Sequence, residues 1–483
     1  MTSGRAIAGA RSPLLLPVLF APAFMVILDV FIVNVTAPSL RADLGASESV
    51  IQLIVVAYVL SYAIWLITGG RLGDMFGRLR MFQLGVGGFT AASVVCAAAP
   101  TPTVLIVGRI LQGLGGAAMY PQMLSIIQVE YPPAERQRAL AYQNVTQAMA
   151  SIMGQVVGGV LIALDPFGLG WRTVFMINIP VGLLVLAIAP TVVPESRSPA
   201  ARRLDLRGIV LATLGLTLFL VPAIEGRELG WPSWIFVAMA AAVPIAFIFV
   251  RAQRSLAARG EAPLVEPRLF ARRGFRIGII AVVIVFCNFS FFLWFAIFLQ
   301  DGLRLSPLAS GLVYVPMAAV SAAVSAAVPR LPRRYQDYFP QLGAFVASCG
   351  FVIVILVARR TEALTPGLVL ATLPLGAGLG LMMPTLMRLV LHTVPTDVAG
   401  SAAGTLATAQ QVGNAIGVAL VGTIFFAVLG PGAGPGAYDG AFAASTGAQA
   451  LFALTAAWLL SRVRERVPPA ELAERAYPSS AAP

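Results

Sequence analysis

Asp29 stands in MVILDVFIVNVTAP, residues 25–38, and Arg109 opens RILQGLGGAA; each is flanked by large apolar side chains. A carboxylate removed from water favours its neutral form, while a nearby guanidinium favours the ionised one. An acid that can exchange such a partner for a proton is a proton carrier; the alternative is a permanent structural ion pair. Asp29 lies nine positions before Pro38 and Arg109 six after Thr103. On antiparallel helices both would sit roughly 9 to 14 Å below the same surface, at 1.5 Å per residue.

Such helices must cross a membrane. The chain has 483 residues, 58% hydrophobic and only 11% charged, against about 25% charged in soluble domains. Its apolar runs of about 18 to 25 residues span a hydrocarbon core as helices, and their continuity excludes the alternating pattern of a barrel. A net charge of +12 could suggest nucleic acid. The charges instead fall in the short breaks between apolar runs, as membrane topology requires, so nucleic acid is rejected as a partner. The first apolar run follows Arg5 and Arg11 but lacks a small-residue cleavage site, and reads as a retained helix, not a signal peptide.

The expected class is an all-α integral membrane protein of fourteen helices, with both termini cytoplasmic. Breaks at charges, Pro and Gly place the first six spans at about 14–37, 50–70, 80–98, 103–128, 138–163 and 173–191. Two more fall at about 206–224 and 233–250, then six at about 275–299, 308–329, 338–358, 366–391, 399–428 and 440–461. The grouping six, two, six gives a first bundle over 1–198, a linker with an inserted pair over 199–262, a second bundle over 263–467 and a disordered cytoplasmic tail over 468–483. Orientation comes from arginine, because the 33 basic residues include no lysine. Arg71, Arg78, Arg80, Arg136, Arg138, Arg197, Arg202, Arg203, Arg207, seven arginines between 251 and 276, Arg330, Arg333, Arg334 and those after 461 share one side. Only Arg41, Arg172, Arg227, Arg304, Arg359 and Arg360 share the other, so the positive-inside rule is obeyed and stays in phase to the end. The loop from Leu429, LGPGAGPGAYDG, reads as a flexible external connection.

Other residues bear on chemistry more weakly. Tyr58, Tyr62 and Trp65 share a helix face, and FCNFSFFLWFAIF packs Phe292 and six other aromatics into one span. Aromatic faces suit flat lipophilic molecules and organic cations; lipid-facing or interfacial bulk is the plainer use. Gln112, Gln143, Gln147, Gln155, Asn288, Gln410 and Asn414 are amides within apolar runs, suited to interhelical hydrogen bonding or, more sharply, to lining a substrate pocket; Gln147 and Asn414 are favoured. Cys96, Cys287 and Cys349 read as small buried hydrophobes and His392 as a membrane-interface residue, with no metal-ligand spacing. No second acid is firmly inside a span, so one proton per cycle is the simplest stoichiometry. There is no Walker sequence, and the glycine clusters lack a preceding strand, which excludes ATP coupling and a dinucleotide fold.

GGRLGDMFGRLRM, residues 69–81, sets Gly70, Gly73, Asp74, Gly77 and Arg78 in the short connection between helices two and three. This resembles the loop signature of the major facilitator superfamily, and LDVFIVNVTAP resembles the first-helix signature of its fourteen-helix drug:proton antiporter branch. RILQGLGGAA is similar to the fourth-helix motif, WRTVFMINIPVG to the start of helix six, and AGSAAGTLATAQQVGNAIGVAL to the penultimate helix. The fifth-helix antiporter motif is altered: ASIMGQVVGG keeps Gly154, Gly158 and Gly159 but has Ala150 and Gln155 where the first glycine and the proline stand. The resemblance implies two six-helix bundles that rock about a central site, a latch made by Asp74 with Arg78, and efflux driven by the proton gradient without a cofactor. Expected partners are protons, the lipid bilayer and a lipophilic or cationic small molecule, for a monomer in a bacterial cytoplasmic membrane. Export of a dedicated metabolite, lipid or amino acid on the same fold is the alternative, and a membrane sensor or scaffold the alternative of another class.

Overall fold

The computed structural model describes residues 12–198, 204–261, 263–361, 363–392, 394, 399–430 and 436–463. Among them are fourteen helices long and apolar enough to cross a membrane, and no strand. They are α1 Leu15–Leu44, α2 Glu48–Phe76, α3 Arg78–Ala97, α4 Pro102–Glu130, α5 Pro133–Leu164, α6 Gly170–Val192, α7 Leu206–Glu225 and α8 Ser233–Ala258. After the inserted pair come α9 Arg273–Gly302, α10 Pro307–Arg330, α11 Phe339–Ala358, α12 Pro366–Leu391, α13 Ala399–Leu429 and α14 Ala437–Ser461. An even number of crossings puts the start of α1 and the end of α14 on one side, the terminal face; the Gly45 turn lies on the far face.

Local sequence sets where helices begin. Thr101-Pro102, Ser306-Pro307 and Thr365-Pro366 start α4, α10 and α12: each hydroxyl accepts from a backbone N–H three residues on, and each proline fills the first helical position. Helix ends depart from expectation in three places. α8, expected to end at about 250, runs on through Arg251 and Arg254 to Ala258. α1 passes through Pro38 and stops at Gly45, whose φ of 60° is left-handed, so the helix ends compared for the Asp29–Arg109 depth match are not level. α2 likewise runs through Gly70 and Gly73, so that stretch, expected as a loop, is helix, and the turn is Gly77 alone at φ 114°. Inside a bilayer the helix is the one way to satisfy the backbone, which overrides the breaking tendency of isolated Gly and Pro.

Small residues bring the helices together, as expected where lipid removes the hydrophobic drive between them. A Cβ on Gly113 of α4 would lie 2.6 Å from the Tyr58 carbonyl of α2. α5 is wedged between α1 and α10: Gly154 and Gly158 meet Leu28 and Ile32, while Gly159 faces the Pro307 carbonyl and Gly311 of α10 faces that of Gln155. α13 packs along α2, from Gly404 on Ile67 to Gly422 on Gln52. The first and last six helices also meet at the far face, where Arg41 pairs with Asp301 at 2.7 Å and Gln300 donates to the Val35 carbonyl at 3.1 Å.

α7 and α8 pack on each other, and α7 touches both α2 and α13. Only 11% of the apolar window of α8 is buried, so this helix faces lipid. At the terminal face Asp205 caps α7 and accepts from Gln253 of α8 at 2.6 Å and from Leu264 N–H at 3.2 Å, folding the following linker onto the pair. At the far face the α7–α8 turn docks on the start of α2. Glu228 accepts from the Ser49 N–H at 3.0 Å and hydroxyl at 2.7 Å, and Arg227 pairs with Glu48 at 2.5 Å. Arg227 also lies 5.7 Å over the Phe426 ring of α13, and Thr423 of α13 donates to the Ala223 carbonyl at 3.3 Å. The inserted pair thus touches both six-helix groups. Residues 199–203, the glycine-rich 431–435 and the tail 468–483 lie outside the described residues.

Burial pushes the Glu228 carboxyl up, but the Ser49 N–H, the Ser49 and Ser47 hydroxyls and Arg227 outweigh it and hold it below its ordinary 4.5. A depressed carboxylate contributes stability that is complete above 4.5 and is lost as pH falls through the folded value. Glu228→Gln should therefore loosen the turn at neutral pH and flatten its dependence on pH below 4.5; hydrogen exchange of residues 226–232 measures both.

Candidate functional site

Five helices of the first group converge on Asp29. It is fully buried on α1, and Arg109 of α4, also fully buried, donates from Nη1 to its Oδ2. Oδ1 accepts from Gln112 Nε2 at 3.3 Å and from Asn178 Nδ2 of α6 at 3.0 Å. Arg109 also donates from Nε to the Ile54 carbonyl of α2 at 3.3 Å and from Nη1 to Gln112 Oε1 at 2.9 Å. Its guanidinium stacks 4.2 Å over the Tyr58 ring, whose hydroxyl donates to the Val26 carbonyl at 2.9 Å. Gln112 is fixed in turn by Ser93 Oγ of α3 at 2.9 Å and by the Cys96 thiol at 3.4 Å.

The two charges that sequence reading singled out are therefore in direct contact, inside the first group and not between the groups. Tyr58 and Gln112, expected to line a substrate pocket, belong to this cluster instead, because the i, i+3 spacing of Gln112 from Arg109 puts both on one face of α4. Asn178 and Ser93 were missed. Asn178 carried a signal, since it is the one amide in VFMINIPVG, and Ser93 carried none. Taking both ions out of water is expensive, and the arrangement is tolerable because Asp29 has three donors. One guanidinium nitrogen, Nη2, and the Asn178 carbonyl oxygen have no protein partner.

The remaining candidates divide. Tyr62 is buried, stacks on Tyr58 at 6.3 Å and meets Tyr120 edge-on at 6.2 Å; Trp65 is half-buried. Gln147 and Gln143 both donate to the Tyr120 hydroxyl, which ties α5 to α4. Asn288 lies in a one-turn irregularity of α9 over 288–290 and, with Phe289, Phe292, Met317, Phe351 and Met382, lines a small cavity within the last six helices. Its Nδ2 donates to the Ile284 carbonyl at 3.3 Å and its Oδ1 is without a partner. Phe31 of α1 reaches across to Phe292 and Phe289, with centroids 5.2 and 6.3 Å apart. Asn414 is buried on α13. Gln155 is fully buried with neither amide atom hydrogen-bonded to protein. Cys96 and Cys287 are buried, but Cys349 is exposed, contrary to expectation.

At the terminal face Asp74 and Arg78 pair at 2.8 Å. The segment after α6 straps this turn: Ser198 N–H donates to the Asp74 carbonyl, Arg78 N–H to that of Ser196, and Glu195 caps α3 through the N–H groups of Leu79 and Arg80. Gly77 is required here, since a Cβ would lie 2.7 Å from the Glu195 carboxylate.

The family model described as Major Facilitator Superfamily matches residues 19–418. The chain belongs to that superfamily. It is 39% identical over 402 residues, 81% of this chain and 68% of the relative, to the "Probable actinorhodin transporter" of Streptomyces coelicolor. It is 32% identical over 383 residues, 78% and 69% of the two chains, to the "Multidrug resistance protein Stp" of Mycobacterium tuberculosis. Identity with the puromycin resistance protein of Streptomyces alboniger is 31% over 395 residues, 80% and 76%. Among solved structures, a bacterial homolog of the lysosomal transporter Spinster aligns with a TM-score of 0.64 at 20% identity, covering 93% of this chain and 96% of that one. The POT family transporter PepTSo aligns with a TM-score of 0.67 at 16% identity, covering 94% and 98%. This major facilitator protein is a multi-pass bacterial membrane transporter and not an enzyme. In that setting the Asp29 cluster sits inside the first six-helix group.

Removing one member of a buried pair strands the other. Arg109→Ala should cost about 3–5 kcal/mol of stability, and Asp29→Asn with Arg109→Gln together should cost less than Arg109→Ala alone. Thermal unfolding of the purified variants in detergent compares them. Gln155→Leu removes an amide with no protein partner and should raise stability by about 1–3 kcal/mol, read by the same assay.

Proposed function

We propose that the chain exports lipophilic, drug-like small molecules across the cytoplasmic membrane in exchange for protons. The observation that carries this is the buried Asp29–Arg109 pair. An acid fully withdrawn from water and tied to a single base is the element an exchanger needs, and intramembrane acids are functional by default. No cofactor enters the proposal.

The arginine bias supports a cytoplasmic terminal face. With the far face held by Arg41–Asp301 and by the α5–α10 crossing, the described state corresponds to one shut toward the outside. When that face opens and water reaches Asp29, a proton competes with Arg109 for the carboxylate. α1 carries the result onward, because Phe31, two residues past Asp29, packs on Phe292 and Phe289 beside the Asn288 cavity. That cavity offers aromatic faces, methionines and one unpartnered amide carbonyl, the lining a flat apolar molecule with a hydrogen-bond donor needs, but at about 30 Å³ it must widen as the helices rearrange before it can admit one. Asp74 and Arg78 would tie the terminal face in the opposite state. The names of two relatives, an actinorhodin transporter and a puromycin resistance protein, favour a dedicated exporter of an antibiotic-like metabolite as the second reading.

Inverted vesicles energised with a pH gradient provide the test. A transported compound should dissipate the gradient with the parent protein, and Asp29→Asn should reduce that response at least about tenfold, the effect of losing about 1.4 kcal/mol at one step. Undiminished exchange by Asp29→Asn would remove the coupling role. Phe292→Ala should raise the half-saturating concentration several-fold while leaving proton stoichiometry unchanged.

A further inference from the structure

We infer that Asn178 is a positioning residue whose carboxamide flips with the protonation of Asp29. The inference rests on the proton-coupling role proposed for Asp29, and it begins from an asymmetry between the two amides that hold Oδ1. Gln112 is locked at both ends: Nε2 donates to Asp29 and to Ser93 Oγ, while Oε1 accepts from Arg109 and Cys96. Asn178 is held at one end only. Its Nδ2 donates to Asp29 Oδ1 at 3.0 Å, and its Oδ1, in a residue 1% exposed, has no protein partner.

A buried acceptor without a donor costs free energy in the ionised state. The same atom becomes useful once Asp29 binds a proton. Oδ2 faces the Arg109 guanidinium, so the proton goes to Oδ1, and an O–H there points at two N–H donors. Rotating the Gln112 amide would break its bonds to Ser93 and Arg109. Rotating the Asn178 amide exchanges its N–H for its carbonyl oxygen, which then accepts the new O–H. The other charged and titratable groups packed around Asp29 are Arg109 on α4, Tyr58 on α2 and Cys96 on α3. One O–H bond forms on Asp29 Oδ1 as one breaks in a hydronium ion of the water that reaches the site, leaving a water molecule; no other covalent bond changes, and the hydrogen bond between Asp29 and Asn178 reverses direction.

A fixed donor and a reversible amide are distinguished by where Asn178 acts. As a fixed donor it would stabilise the carboxylate alone, so Asn178→Leu would move the pH midpoint of proton exchange upward by about one unit or more. As a flipping amide it serves both forms, and the midpoint should stay within about half a unit.

Infrared difference spectra between acid and alkaline protein supply the decisive readout. The carboxylic-acid band that Asp29→Asn abolishes should shift to higher frequency in Asn178→Leu, having lost its acceptor. In otherwise unaltered protein grown with isotope-labelled asparagine, an amide carbonyl band should change with the same titration and vanish in Asn178→Leu; this arm needs no variant to detect the change, and Asn178→Ala replaces Asn178→Leu if the latter fails to fold. An unshifted Asp29 band, or no titrating asparagine carbonyl, would overturn the flip. If Asp29→Asn instead leaves both the acid band and proton exchange intact, the coupling reading itself falls.

Discussion

One ion pair buried in a low-dielectric bundle organises five of the first six helices. Asp29 and Arg109 have left water entirely, and the cost of that transfer is met by saturating the carboxylate with donors from α4 and α6 and by stacking the guanidinium on α2. Five helices are placed relative to one another by this requirement. Close approach is then needed to bring the groups within hydrogen-bond range, and the glycines of α4 permit it where α2 crosses. Packing and electrostatics here are one constraint.

The same pair links the site to the rest of the molecule through α1. One face of that helix presents Asp29 to α4 and α6, while Phe31 meets the aromatic run of α9 and Leu28 and Ile32 receive the glycines of α5. Asp29 and the aromatic cavity are therefore joined by two residues of one helix, without any intermediate loop. α5 extends this connection, because its opposite side rests on α10 by backbone contact at Gly159 and Gly311.

Much of this was legible in the sequence. Apolar run length located all fourteen spans to within a few residues at most ends, since burial in lipid leaves the helix as the only local solution. Two of the larger misses, at Pro38 and at Gly70 to Phe76, came from treating helix breakers by their behaviour in water, and the third, at the end of α8, from ending the span at Arg251 where the helix continues to Ala258. Asp29 and Arg109 were visible because charge is rare in apolar runs. Ser93 was not, because an isolated hydroxyl in such a run is common, and the lone amide of Asn178 was a signal that only the fold could direct to the acid. Tyr58 shows the opposite error: its helical spacing with Tyr62 and Trp65 was read correctly, but spacing defines a face and not what that face meets.

The inserted pair touches α2 and α13 at the far face, which are helices of different six-helix groups. Contacts that exist in one arrangement of two moving bodies and not in the other weight the populations of those arrangements, by a factor of ten for every 1.4 kcal/mol or so. Arg227, Glu228 and the Ala223 carbonyl therefore act as ballast on a balance: any rearrangement that parts α2 from α13 at the far face must also break these contacts of the inserted pair.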